Sequence, residues 1–174
     1  ITDGVIEPLS FAVPVFEAEN PAAREIASEI SSIVVADLTS SGLFREIPKN
    51  RFIAQRKTFE EPVRFPDWRA VNAQALVTAA VKTNGSGQLT VKFRIFDIFS
   101  GVQLGKGTQL SGSTGAARRM AHQVADQVYK RITGEGAYFD SRIVFVSESG
   151  PKDKRLKRLA IMDSDGEKMK FLTG

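Results

Sequence analysis

The stretch Asn20 to Phe44, NPAAREIASEISSIVVADLTSSGLF, constrains the fold of this chain more than any other. Ile26, Ile30, Ile33, Val34 and Leu38 recur at spacings of three and four, which puts them on one face of a helix. Asn20 is placed to cap the first turn, and Pro21 fits the first helical position, where its missing N–H costs nothing. Gly42 can take the left-handed conformation that closes a helix, after which Leu43 and Phe44 turn the chain back onto the apolar face. A helix of this kind does not hold in water alone, so its flanking segments must cover it.

Those segments read as strands and a second helix. Leu9 to Phe16, LSFAVPVF, is an apolar run of strand length with both faces covered, and Pro14 belongs at a strand end or bulge. Glu46 to Pro48 adds a short strand, and Pro66 to Asn72 a short helix that turns Trp68 and Val71 inward. Ala75 to Thr83 is a buried strand. Asn84-Gly85-Ser86-Gly87 then gives the strongest hairpin signal in the chain. Leu89, Val91, Phe93 and Ile95 alternate on the return strand, and the change of parity at Ile95-Phe96 predicts a bulge. Val102 to Ser111 is expected to be one further strand. Gly115 to Ile132 is a second amphipathic helix, with Ala117, Ala121, Val124, Val128 and Ile132 on one face, Met120 beside it and Gly134 at its end. The order defines an α+β domain, a mixed sheet covered by two helices.

The composition changes at Thr133-Gly134-Glu135-Gly136, which predicts a boundary between residues 1–134 and 135–174. Three short strands follow: Arg142 to Ser147, Arg158 to Met162 and Lys168 to Leu172. Three strands with little to cover them do not make a stable unit. Their open edges predict pairing with a second copy of the chain or packing on its own first domain.

Catalytic chemistry has little to work with. The chain has 174 residues, no cysteine and one histidine, so neither thiol catalysis nor a cysteine metal site is available. His122 is expected to have a structural or surface role, because a triad needs serine and carboxylate partners converging on it. No residue spacing suggests a metal or cofactor site. Gly101 to Lys106 falls one residue short of a P-loop, and Gly107 stands where a hydroxyl would meet magnesium. Asp163-Ser164-Asp165-Gly166 begins like a calcium loop but places its glycine fourth, and a hairpin turn explains it better. Asn84-Gly85-Ser86 is a formal glycosylation sequon that the hairpin alone accounts for. The net charge of +4 permits contact with nucleic acid, yet the basic run Lys152, Lys154, Arg155, Lys157, Arg158 has no interleaved aromatics for base stacking. No apolar run approaches the ~20 residues of a membrane helix.

The order of four pieces resembles one family over the whole length. They are Ile33-Val34-Val35-Ala36-Asp37-Leu38 with Ser41-Gly42-Leu43-Phe44; Ala75 to Val81 with its hairpin; Ile132-Thr133-Gly134 through Ala137-Tyr138-Phe139 to Arg142-Ile143-Val144-Phe145-Val146; and Leu159 to Gly166. This is the pattern of the TolB family, periplasmic components of the Tol–Pal envelope system of Gram-negative bacteria. The resemblance implies an N-terminal α/β domain, similar in fold to anticodon-binding domains, followed by a six-bladed β-propeller. Residues 135–174 would supply part of its first blade, so the chain reads as a fragment of that longer architecture. The resemblance also implies a non-enzymatic interaction role in outer-membrane integrity and envelope constriction at cell division. In the family the propeller binds the lipoprotein Pal and the extreme N-terminus binds the inner-membrane protein TolA. The arm Ile1, Thr2, Asp3, Gly4, Val5, Ile6 is the part of this chain that falls there. A nucleic-acid-binding module of anticodon-binding-like fold is the alternative, and it rests on fold analogy alone.

Overall fold

The computed structural model describes residues 7–53 and 58–173. The arm residues Ile1 to Ile6, expected to meet a partner, lie outside the described residues.

Strand β1 (Leu9–Ala12) lies between two parallel neighbours, β3 (Phe44–Glu46) and β4 (Ala75–Thr83), which is why its sequence is apolar on both faces. Phe11 points into the main core and Ala12 into a smaller cluster on the opposite side. The strand stops two residues before Pro14, and the chain re-enters the sheet as β2 (Glu17–Ala18), parallel to the far end of β4. β4 then pairs antiparallel with β5 (Gln88–Asp97) through the predicted hairpin. There the Asn84 side-chain oxygen accepts from the Ser86 and Gln88 backbone N–H groups at 3.2 and 2.9 Å, and Gly87 sits at φ +75°. The result is a mixed seven-stranded sheet among the described residues.

Two helices cover one face of it. Helix α1 (Arg24–Ser40) buries Ile30, Ile33, Val34 and Leu38. Its successor on that face is α3 (Ala117–Thr133), which buries Ala117, Met120, Ala121, Val124, Ala125 and Val128. Both helices and the inward residues Val77, Leu89, Val91, Phe93 and Ile95 form one continuous core. The short helix α2 (Phe65–Ala70) covers the other face locally, packing Trp68 with Ile47, Leu76, Phe96 and Ile98. The fold is α+β, with the mixed sheet and two long helices that the sequence predicts.

Three local expectations need correction. Asn20 does not cap α1: a 3-10 turn, Pro21–Ala23, precedes the helix. The Asn20 side chain instead donates to the Thr83 carbonyl at 2.6 Å and accepts from the Thr83 N–H at 3.3 Å, tying the helix approach to the end of β4. No bulge interrupts β5 at Ile95-Phe96, since its register with β4 runs unbroken from Leu89 to Asp97. Both residues are apolar because the strand is covered on both sides there, Ile95 by the main core and Phe96 by the α2 cluster. The irregularity lies in the next strand, which splits into β6 (Val102–Gln103) and β7 (Thr108–Ser113). The Arg131 guanidinium fills the break, donating to the Leu104 and Lys106 carbonyls and the Thr108 hydroxyl.

Beyond α3, Gly134 closes the helix in the left-handed conformation. A second, three-stranded antiparallel sheet follows: β8 (Arg142–Ser149), β9 (Leu156–Asp163) and β10 (Lys170–Phe171), with β9 in the middle. Its first two strands are longer than predicted. Ala160 is fully buried, whereas Val144, Val146, Leu159 and Phe171 stay exposed. The sheet meets the first layer of structure through its β9–β10 turn, where Ser164 donates from its hydroxyl to the Phe139 carbonyl at 2.6 Å and from its N–H to Ser141 at 3.1 Å.

Candidate functional site

The polar centre of the molecule forms where α1 crosses α3. Asp37 lies on the buried face of α1, one residue before Leu38, and His122 lies on the buried face of α3, between Ala121 and Val124. Their side chains meet at 2.7 Å, His122 Nδ1 to Asp37 Oδ2, and both residues are almost wholly buried. Burial alone would lower the histidine's pKa. The hydrogen bond to Asp37 and the charges of Asp37 and Asp165 outweigh burial and the opposing charge of Arg118, so the imidazole is held above its ordinary value. The sequence reading leaves His122 a structural or a surface role; its burial and its bond across the helix pair make it structural. That reading did not find its partner: Asp37 figures there only as one residue of a family motif.

The second sheet reaches this pair through its turn. Asp165 lies 3.7 Å from His122 Nε2, too long for a hydrogen bond, and is bound by Arg118 of α3. Asp163, Asp165 and His122 bring one possible ligand atom each within 4.8 Å of one another, a convergence that residue spacing did not predict. Around them opens a cleft of about 410 Å³, lined by Gly115 and Ala116 at the approach to α3, by Arg118, Arg119 and His122 of the helix, and by residues of the second sheet including Arg142, Lys168 and Lys170. Arg118 already neutralises Asp165, and cationic side chains outnumber carboxylates in the lining, which sets this cleft against holding a cation.

The segment between the two sheets is pinned from α3. Asp126 accepts from the Phe139 N–H at 2.8 Å and the Asp140 N–H at 3.2 Å; burial outweighs these bonds and keeps its carboxyl above the usual range. Asp140 in turn binds Arg119 and Gln123. Phe139 stacks edge-on to Tyr129, which contacts Phe44, which contacts Phe11, so an aromatic chain runs from the segment to β1. The Ala137-Tyr138-Phe139 motif thus has a structural cause.

Two other expected surfaces are placed plainly. In the basic run, Arg155 and Lys157 both bind Glu148 of the neighbouring strand, and the Arg158 guanidinium lies 3.5 Å from the Phe171 ring centroid. The described chain begins at Glu7, on the rim of a groove of about 990 Å³ whose walls include Ser10, Arg45, Arg69, Gln74 and Arg131. Among the described residues no helix is long and apolar enough to cross a membrane.

This architecture, a helix-covered mixed sheet joined through a short pinned segment to an antiparallel meander, has close counterparts. The model of the TolB amino-terminal domain matches residues 1–104, and the chain belongs to that family. Relatives called Tol-Pal system protein TolB match over 99% of the chain, at 60% identity in Dinoroseobacter shibae and 44% in Paramagnetospirillum magneticum. The chain spans 39% of the length of the Dinoroseobacter relative. A crystal structure of TolB from Acinetobacter baumannii superposes with a TM-score of 0.78 at 25% identity, covering 97% of this chain and 39% of that one.

Proposed function

We infer that this chain is the amino-terminal part of a non-catalytic, periplasmic interaction component of the Tol–Pal system. The observation that carries the reading is the match of nearly the whole chain, at up to 60% identity, to proteins named for that system. The chemistry supports it. The single histidine is held through Nδ1 by Asp37, and its Nε2 meets no serine or threonine hydroxyl among the described residues. In this reading residues 1–134 form the interaction domain and residues 135–174 open a propeller. The arm Ile1, Thr2, Asp3, Gly4, Val5, Ile6 contacts TolA, and Pal binds through the propeller. An arm of this kind binds as an extended peptide that pairs with a partner at the expense of its own freedom. Through these contacts the protein contributes to outer-membrane integrity and to constriction at division.

The test is binding of the purified periplasmic part of TolA, by calorimetry, to this chain and to a version that starts at Glu7. Binding to the first and not the second is expected. Equal binding by both would remove the arm from the interface, and no binding by either would reject the TolA assignment for this chain.

A further inference from the structure

His122 stands between carboxylates from two separate parts of the chain. Asp37 of α1 meets Nδ1 at 2.7 Å, and Asp165 of the β9–β10 turn faces Nε2 at 3.7 Å. Asp163, the last residue of β9, completes the group: each turn carboxylate brings an oxygen within 4.8 Å of the ring nitrogen and of the other. The ring is 2% exposed, and its Nε2 is buried without a hydrogen-bond partner. Buried polar atoms are rarely left so, which makes the edge facing the turn the unusual one. The Asp165 side chain keeps 27% of its surface in water, so the charge it sets against the ring is screened from one side only.

The chemistry of imidazole makes this contact sensitive to a single proton. A carboxylate only accepts, so Nδ1 carries its hydrogen toward Asp37 whether the ring is neutral or charged. In the neutral ring Nε2 is then a lone pair turned toward two carboxylates. In the charged ring it is an N–H donor turned toward the same two, and a movement of roughly 0.5 Å would bring Asp165 within hydrogen-bond reach. The other charges nearby leave this contrast standing. On α3, Arg118 opposes a charged ring, and Asp126 acts on Asp37 from the next turn. Asp140, from the segment between the sheets, is bound by Arg119 and Gln123, and Arg142 of β8 lies 3.8 Å from Asp163. Lys168 and Lys170 line the cleft outside the group. Burial disfavours the charged ring, but the bond to Asp37 and the charges of Asp37 and Asp165 outweigh it.

We propose that His122 is a proton-operated latch between the two sheets: the charged ring draws the β9–β10 turn onto α3, and the neutral ring opposes that docking. Two holds on the turn do not depend on the ring. Arg118 binds Asp165, and Ser164 bonds to Phe139 and Ser141 of the linking segment. Loss of the proton therefore loosens the joint without releasing the second sheet. The direction follows from linkage. Asp165 raises the proton affinity of the docked ring, so docking is strongest below the midpoint of the undocked ring and weakens as pH rises through that of the docked one. The coupling is reciprocal: a partner that lifts the second sheet from α3 lowers the ring's affinity for its proton.

His122 is the chain's only histidine, so its imidazole signals give the titration midpoint by nuclear magnetic resonance without assignment. The Ser164 amide, bonded to the Ser141 carbonyl at 3.1 Å, reports docking of the turn by hydrogen exchange. In the intact chain its protection, corrected for the intrinsic rate at each pH, should fall on the order of tenfold as pH rises through that midpoint. Amides in the middle of β5, paired on both sides, should fall less. Asp165→Asn removes the turn charge and keeps the Oδ1 acceptor that bonds the Glu167 N–H, and it leaves the Asp37–His122 pair in place. It should lower the ring's midpoint and flatten the fall in Ser164 protection. Ser164 protection that does not change with pH overturns the proposal, and so does protection that follows the β5 amides throughout. An unchanged midpoint in Asp165→Asn overturns it as well. Should that variant not fold, the pH series on the intact chain decides by itself.

Discussion

The two sheets of this protein both rest on apolar strands that meet opposite fates. In β5, Leu89, Val91, Phe93 and Ile95 alternate with polar residues and are fully buried. In β8 the apolar run Ile143-Val144-Phe145-Val146 is continuous, and its Val144 and Val146 are 56% and 57% exposed. Each strand has an unbroken antiparallel neighbour, and β5 is paired on its other side as well, where β8 is an edge strand. Their faces differ in cover. α1 and α3 lie on the inward face of β5, and within the described residues nothing comparable lies on β8. Apolar residues in a strand therefore state what it can bury, and the elements packed on its face decide whether they contribute to stability.

The contrast is broken most directly in the first sheet. Phe93 is fully buried at the centre of the main core, with the Arg131 guanidinium 5.9 Å from its ring centroid. Phe93→Ala should destabilise the chain by about 3–5 kcal/mol, through lost transfer energy and the cavity left between β5 and α3. Denaturant unfolding measures this. A loss below ~1 kcal/mol would mean that the helices do not clamp this face as described.

A smaller effect is expected where the two long helices meet. Asp37→Asn keeps the shape of the side chain and removes the charge that helps hold His122 protonated. The folded histidine has a raised pKa relative to about 6.5 in the unfolded chain, so the pair's contribution is fully present below that value. It is lost as pH rises through the folded pKa. Asp37→Asn should cost about 1–3 kcal/mol at pH 5.5. It should cost less above the folded pKa, and should flatten the stability–pH curve across neutrality. An unchanged slope would place the pH dependence elsewhere.

How legible these features were in the sequence follows from their range. β4, its hairpin and the Gly134 helix end are local, and each was readable within its own few residues because asparagine and glycine at a turn have a direct backbone cause. The Asn20 cap was misread because a residue 63 positions away competes for the same side chain, and no local rule contains Thr83. The parity change at Ile95-Phe96 was misread as a bulge for a similar reason: α2 covers the second face only after the chain has folded around it. The Asp37–His122 pair spans 85 residues. A single histidine and one aspartate in a helix carry no sign of each other, and only the crossing of α1 and α3 brings them together. The expectation for the second sheet came closer. Its strands, short of cover in the sequence, are expected to pair with a second copy or to pack on the first domain; Val144 and Val146 stay exposed, and the contact with α3 comes through a turn that the sequence shows only as a hairpin.

The smallest expected effect tests the comparison most finely. Val→Thr replaces a methyl by a hydroxyl and keeps the branched shape and most of the strand preference, so it isolates burial from geometry. In β5, Val91 is fully buried, and Val91→Thr should cost about 1–3 kcal/mol, because the hydroxyl enters an apolar core. In β8, Val146 is 57% exposed, and Val146→Thr should change stability by no more than about 0.5 kcal/mol, since water already reaches the site. Both variants belong in one unfolding series, read by a probe of each sheet and accompanied by light scattering. If Val146→Thr costs as much as Val91→Thr, the β8 face is covered in solution. Light scattering then decides between a second copy of the chain, which would appear as a concentration-dependent dimer, and a rearrangement of the sheet onto its own α3. If the two costs separate as expected, the difference between the sheets lies in what covers their strands and not in the strands themselves.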